Sequence, residues 1–322
     1  MDVAAFCAQS RVVVVAGKGG VGKSTVSAAL ARTAAQAGLS VLIVELEGRP
    51  GIPAAFGGEG PLGYEETVLV DNGAGMVRGR RLTPDDALLE YLADHGLERI
   101  SRRLVSSGMV DVVATAIPGI RDVLVLGKVK QLERDGVADL IVVDAPATGH
   151  AVTFLTSASG LLDAARAGPV RSQAADVVEL LTDPTRCRVL LVTLPEEMPV
   201  SETVEAAYQL EDRAGVQLGP VFVNGWDELP LGLSMTTEAA AAATGAVLTP
   251  GQSTVLEEAR KFRLRRCELA AEQVARLGQE LPLPQLRLPQ LAAPTIGRKE
   301  LAQLSSALTS SIRELVPEVG AA

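Results

Sequence analysis

Aromatic residues make up only 3% of this chain of 322 residues. Any core must therefore be built of alanine, valine and leucine, within a hydrophobic share of 47%. Cysteine is scarce too. Cys7, Cys187 and Cys267 stand far apart and no C-x-x-C occurs. That excludes a disulfide framework, gives no support to a zinc or iron–sulfur site from these thiols alone, and reads as structural thiols in a reducing compartment. A basic excess is missing: the net charge is −9, which argues against a nucleic-acid partner or an anionic membrane surface. No apolar run approaches the roughly 20 residues of a membrane span; the closest, 110–117, ends at Pro118 and Arg121. Met1-Asp2-Val3 carries an acid where a signal peptide has its basic n-region. These features lead us to expect a cytoplasmic protein without stable membrane insertion. No Pro/Gly/Ser-rich linker and no internal repeat divides the chain. We expect residues 1–322 to form one domain, with a helical subregion around 83–135 and 150–183. Arginine outnumbers lysine about four to one and alanine is abundant, a composition that suggests a GC-rich bacterial source.

Lysine is rare, with six in all, yet two fall in Gly17-Lys18-Gly19-Gly20-Val21-Gly22-Lys23-Ser24-Thr25. This stretch fits the phosphate-binding pattern G-x-x-x-x-G-K-[ST]. It follows the apolar run Val12–Ala16, suited to a buried parallel strand, and precedes the Ala-rich helical stretch 24–37, which Gly38 can end. Glycines let backbone N–H groups face phosphates with no Cβ between, and the following helix offers its unsatisfied N–H groups and the positive end of its dipole. Lys23 is placed to reach the β- and γ-phosphates of ATP, and the Ser24 hydroxyl to ligate Mg²⁺. Lys18 is one lysine more than the pattern needs. A flexible cation there can reach across a face-to-face dimer to the partner's phosphates and neutralise charge developing in the transition state.

Further along, Ser40–Leu46, Thr67–Asp71, Asp139–Asp144, Arg188–Thr193 and Pro220–Asn224 read as strands. They are separated by helices in two pieces over 83–106, from Pro118-Gly119-Ile120 to about Glu133, in two pieces over 150–181, over Ser201–Arg213, near 252–278 and over 298–315. The Pro- and Leu-rich stretch 282–294 reads as an extended connection on the surface. Alternating strands and helices predict a doubly wound, mostly parallel sheet with helices on both faces, the P-loop NTPase class of α/β fold. Ligands bind such folds at the carboxyl ends of the strands, and the loop at 17–25, Glu47, Asp144 and Asn224 all fall there. Asp144, ending an apolar strand, is the candidate second carboxylate for Mg²⁺. Glu47 is the candidate to orient the attacking water; Glu45 competes but sits inside its strand. Asn224 can read the adenine edge with its amide, or serve as a turn residue before Gly225. His150 reads as a structural histidine.

The two-lysine loop resembles the ParA/MinD-like group of P-loop ATPases. Within it the chain is similar to the ArsA family, which includes arsenite-pump ATPases and the ATPases that guide tail-anchored membrane proteins. Asp144-Ala145-Pro146-Ala147-Thr148-Gly149-His150 resembles the family's D-T-A-P-T-G-H switch. Pro195-Glu196 with Ser201-Glu202-Thr203, Pro118-Gly119-Ile120 and Val223-Asn224 resemble further family segments. The resemblance implies a homodimer, or a heterodimer with a related subunit, with ATP near the interface, hydrolysis opening and closing the pair, and a possible protein client. Three departures matter. Glu47-Gly48-Arg49-Pro50 stands where the family has D-P-A-H, and a carboxylate one methylene longer can shift the water enough to slow hydrolysis about 100-fold. That keeps open a weakly hydrolysing, regulatory subunit. The family's interface C-x-x-C and metalloid cysteines are absent, which disfavours arsenite. The Met-rich insertion of the tail-anchor chaperones is absent too: residues 151–183 contain no Met, and core packing is the favoured role for their apolar residues. A ParA/MinD-type positioning ATPase would need a basic surface, and an iron–sulfur ATPase would need cysteines near a switch.

Overall fold

β-branched runs buried on both sides build the centre of the molecule. A computed structural model describes residues 1–46, 48, 50–94, 96 and 119–315. In β1 (Val12–Gly17), Val12, Val14 and Ala16 pack into one core while Val13 and Val15 pack into the other. β2 (Ser40–Glu45) and β5 (Leu140–Ala147) alternate in the same way. This two-sided burial is the mark of a parallel sheet covered by helices on both faces.

The remaining strands are β3 (Thr67–Asp71), β4 (Met76–Arg81), β6 (Cys187–Thr193), β7 (Val221–Trp226) and β8 (Gln285–Pro289). The sheet order is β3-β4-β2-β5-β1-β6-β7-β8, parallel throughout except for the antiparallel β3–β4 pair. From β1 the chain goes to one side for β2 and later to the other for β6 and β7. β1 is therefore a switch point, and the crevice at its carboxyl end is where a ligand is expected.

One face carries α1 (Val3–Cys7), α2 (Lys23–Gln36), α3 (Gly51–Ala55) and, at the far end of the chain, α11 (Arg298–Glu314). α2 and α11 pack closely across a small polar inclusion. Thr33 Oγ1 lies 3.0 Å from Ser305 Oγ, and Ser305 Oγ donates to the Ala29 carbonyl at 3.2 Å. The other face carries α4 (Pro84–Asp94), α5 (Ile120–Arg134), α6 (Thr148–Ala164), α7 (Pro169–Thr182) and α8 (Glu197–Ala214). Short α9 (Thr237–Thr244) and the 31-residue α10 (Pro250–Glu280) are the other helices among the described residues. The apolar residues of 151–183, including Val152, Phe154, Leu155, Val177 and Leu181, are buried in the core on this face. Among the described residues no helix is long and apolar enough to cross a membrane.

The structure corrects several sequence readings. The 282–294 stretch is not a surface connection: β8 forms one edge of the sheet, with Leu286 and Leu288 fully buried. Met76–Arg81, not expected as a strand, is β4, paired in parallel with β2. The helix expected from Ser201 starts four residues earlier, at Glu197. Asp144 does not end its strand, since β5 runs on to Ala147. The second helical piece of 83–106 and the opening Pro118 lie outside the described residues.

Candidate active site

The loop between β1 and α2 is held open by close contacts that only glycine tolerates. At Gly17 a Cβ would fall 2.3 Å from the Val192 carbonyl of β6. At Gly22, with φ +92°, a Cβ would fall 2.3 Å from Asn224 Nδ2. Gly20 also has positive φ, +90°, with open space around it. Gly22 caps α2 in the left-handed conformation and makes no side-chain cap bond. The head of a helix, with its N–H groups and the positive end of its dipole, suits an anion.

Beneath the loop a polar triad ties α2 to β5. Ser24 Oγ donates to Asp144 Oδ2 at 2.6 Å, and Ser27 Oγ donates to Asp144 Oδ1 at 3.2 Å. Asp144 sits opposite Val15 on one side and Glu45 on the other, and is buried. It thus lies inside the sheet rather than at its rim, directly under Ser24. Ser27 was missed in the sequence; its signal is its place one helical turn after Ser24. Lys23 Nζ donates to the Lys18 carbonyl at 3.2 Å, bridging the loop from end to end.

Lys18 forms an ion pair with Glu202 of α8, both side chains about one-third exposed. The lysine expected to reach a partner is thus turned onto its own subunit here, by an acid whose role the sequence did not reveal. Asn224 of β7 donates from Nδ2 to the Val21 carbonyl at 2.8 Å. It braces the loop and keeps its carbonyl oxygen for another donor. Its far side opens onto a cleft of about 800 Å³ between the loop and α10, lined by Thr25, Asn224, Asp227, Arg263, Arg266 and Gln273. The last three, from α10, were not singled out in the sequence. Gly19 lies against Ala147 of the switch segment, a Cβ there coming within 3.7 Å. His150 is exposed rather than a packed structural histidine. Glu47 lies outside the described residues.

Among the described residues no three His, Cys, Asp or Glu side chains gather as a metal cage. Ser24 and Asp144 offer a hydroxyl and a carboxylate side by side. These hard oxygen donors suit Mg²⁺ when water and phosphate oxygens complete the shell. A glycine cradle at a switch point, a lysine at the head of the helix and a serine–aspartate pair below together define a P-loop protein of the α/β class.

Comparison with known proteins narrows that class. Residues 10–166 match the family described as anion-transporting ATPase. The ATPase BagA of Mycobacterium tuberculosis is 41% identical over 222 residues, 66% of this chain and 64% of that one. A putative arsenical pump-driving ATPase of Halobacterium salinarum is 30% identical over 236 residues, 67% of this chain and 35% of that one. ATPase get3 of Schizosaccharomyces japonicus is 29% identical over 143 residues, 44% of this chain and 42% of that one. Over residues 10–166 the chain is ArsA-like in sequence. It spans 64% of the length of the mycobacterial relative, just under two thirds.

Proposed function

We propose that this chain binds ATP with Mg²⁺, hydrolyses it to ADP and phosphate, and works as a dimer whose nucleotide state controls closure and the hold on a partner or client protein. The observation that carries the reading is the Ser24–Asp144 pair at 2.6 Å beneath a loop whose Gly17 and Gly22 admit no side chain. In this reading the backbone N–H groups of residues 19–25 cradle the phosphates, and Lys23 turns from the Lys18 carbonyl to the β- and γ-phosphates. Ser24 and Asp144 hold Mg²⁺, which when bound neutralises charge on the phosphate oxygens. The base enters the cleft beside Asn224 and Gln273. Glu47 orients the attacking water, and Lys18 leaves Glu202 to reach the phosphates of the partner. An exposed ion pair of this kind is worth only about 0.2–1 kcal/mol, so breaking it is a small obstacle.

A second reading rests on Glu47 standing where the family has aspartate. The chain would then bind ATP, hydrolyse it slowly at best, and pair with a related subunit that completes the chemistry. Phosphate release by the purified chain, with and without Mg²⁺, separates the two. The first reading expects Mg²⁺-dependent release that Asp144→Asn, Lys23→Ala and Glu47→Ala each abolish. Release that survives Asp144→Asn contradicts it, and tight ATP binding with no release supports the second.

A further inference from the structure

The two edges of the sheet differ. At one end β8 is covered. Pro284 precedes the strand and Pro289 closes it, and the Arg287 N–H donates to Ser311 Oγ of α11 at 3.2 Å. Prolines and a covering helix are common guards of an edge strand. At the other end β3 has neither. It pairs with β4 alone. Among the described residues no hydrogen bond reaches the backbone of residues 67–70 from outside that ladder. No proline, lysine or arginine falls between positions 62 and 77. The one guard is a bulge between Val68 and Val70. Thr67 and Val68 are exposed, Val68 to 57%, while Leu69 and Val70 pack against the core. The strand is thus anchored from below. Its outer row of N–H and C=O groups stays open along about 17 Å, at about 3.4 Å per residue.

We propose that β3 receives an extended, basic segment of a partner protein as a further strand of the sheet. Charge selects the partner. Glu65 and Glu66 stand just before β3 and Asp71 ends it, all three exposed. Arg78 of β4 pairs with Glu66 at 2.5 Å. Among the described residues Glu65 and Asp71 meet no cation; Asp71 accepts only from the Gly73 N–H, at 2.9 Å. The stretch 51–77 as a whole carries four acids, Glu59, Glu65, Glu66 and Asp71, and no lysine or arginine. An added strand would run with its ends beside Glu65 and Asp71, where opposite charges attract across the pair and like charges repel. A second copy is turned away by this pattern. Two β3 strands paired about a two-fold axis would set Glu65 of one copy near Asp71 of the other, between chains that each carry a charge of −9. The acids thus close the edge to copies of this chain and leave it open to cations, a selectivity built from repulsion. In strand addition the main-chain bonds supply affinity and the side chains specificity. Exposed Val68 offers an apolar contact in the middle of the row. The segment that fits therefore alternates aliphatic and polar residues, with lysine or arginine at its ends. β4, β2 and β5 separate β3 from β1, so this surface lies apart from the phosphate loop.

The test uses the full chain and a fluorescein-labelled synthetic peptide, Lys-Val-Thr-Val-Thr-Val-Lys, followed by fluorescence anisotropy at low salt. Two controls replace both lysines with glutamate, or methylate alternate backbone nitrogens so that they cannot donate. The basic peptide is expected to bind, and each control to bind about tenfold more weakly or less. Glu65→Lys/Asp71→Lys is expected to prefer the acidic peptide over the basic one. Both side chains are exposed, and an unchanged urea midpoint checks that this variant is folded. As a second readout, hydrogen exchange at the outward amides of residues 67–70 is expected to slow when the basic peptide is bound. No binding of the basic peptide overturns the proposal, as does equal binding of the basic and acidic peptides, or a charge-reversed variant that keeps the wild-type order. Binding that leaves exchange at 67–70 unchanged overturns β3 as the site. Slow exchange there in the chain alone, with self-association that Glu65→Lys/Asp71→Lys abolishes, overturns the basic partner in favour of a second copy.

Discussion

Gly22→Ala is the sharpest probe of the phosphate loop, because two separate penalties meet at one atom. The first is local. Gly22 has φ +92°, and an L-residue in the left-handed region costs roughly 1–2 kcal/mol. The second is tertiary. The new Cβ would lie 2.3 Å from Asn224 Nδ2, so that side chain must swing away and give up its bond to the Val21 carbonyl. A neutral hydrogen bond of this kind is worth about 1 kcal/mol. The Gly22→Ala loop can relax out of the cradle in the free protein, and re-forming it around ATP should then weaken binding by about 2–3 kcal/mol, roughly 30- to 150-fold. Asn224→Ala alone removes the same bond and costs about 1 kcal/mol. In the double variant the bond can be lost only once, so the total should stay at about 2–3 kcal/mol instead of the 3–4 that simple addition gives. Any contact between Asn224 and the base is also lost wherever its side chain is moved or removed, so it enlarges this coupling and does not hide it. Calorimetric titration of ATP into the four proteins measures the cycle. Additivity to within about 0.5 kcal/mol would refute the bracing role of Asn224, and a Gly22→Ala protein binding like wild type would refute the loop geometry.

Ser27→Ala removes a hydroxyl donor from the buried Asp144 carboxylate and should lower stability by about 1–3 kcal/mol, read as a fall in urea midpoint with unchanged slope. Leu286→Ala, in the edge strand with its side chain fully buried, should cost about 2–5 kcal/mol; a change under 0.5 kcal/mol would return 282–294 to the surface. Burial pushes the Cys7 thiol, with Asp2 adding to the effect, up to about 12, and burial pushes Cys187 up to about 12. Both should resist iodoacetamide at pH 8 in the folded protein and react on unfolding, with mass spectrometry counting the labels. Because each thiol gives up its proton near 9 when unfolded but only near 12 when folded, the unfolded state binds fewer protons in between. Stability should fall as pH rises through that window, less steeply in Cys187→Ala.

The centre of this molecule was legible because its local and tertiary signals agree. Val12–Ala16 is buried on both faces and reads as a strand from composition alone, and the loop after it has a spacing that few other structures require. β4 was hidden because Arg78, Arg80 and Arg81 make it look like a solvated loop. Two of these charges are met by tertiary partners a linear reading does not see: Arg78 pairs with Glu66 and donates to the Val137 carbonyl, and Arg80 stacks 4.5 Å over the Tyr64 ring. β8 was masked by its prolines, although prolines at the ends of an edge strand are tolerated and Leu286 and Leu288 alternate as a strand requires. Glu202 stood in a motif that the sequence marked, but its contact with Lys18 spans 184 residues, and no local pattern encodes it. Helix near 252–278 was legible in the sequence, and the structure extends it to Pro250–Glu280. That its first half stands free was not legible, because exposure depends on what the rest of the chain leaves uncovered.

The claim that joins these observations is that Lys18 acts on the partner's nucleotide while Lys23 acts on its own. Mixing Lys18→Ala protein with Lys23→Ala protein tests it directly. Each should release little phosphate alone. In a mixed dimer, the loop of the Lys18→Ala subunit keeps Lys23 and receives Lys18 from its Lys23→Ala neighbour, so the account predicts that Mg²⁺-dependent phosphate release returns on mixing. Two inactive proteins that stay inactive together, while still forming mixed dimers, would contradict it.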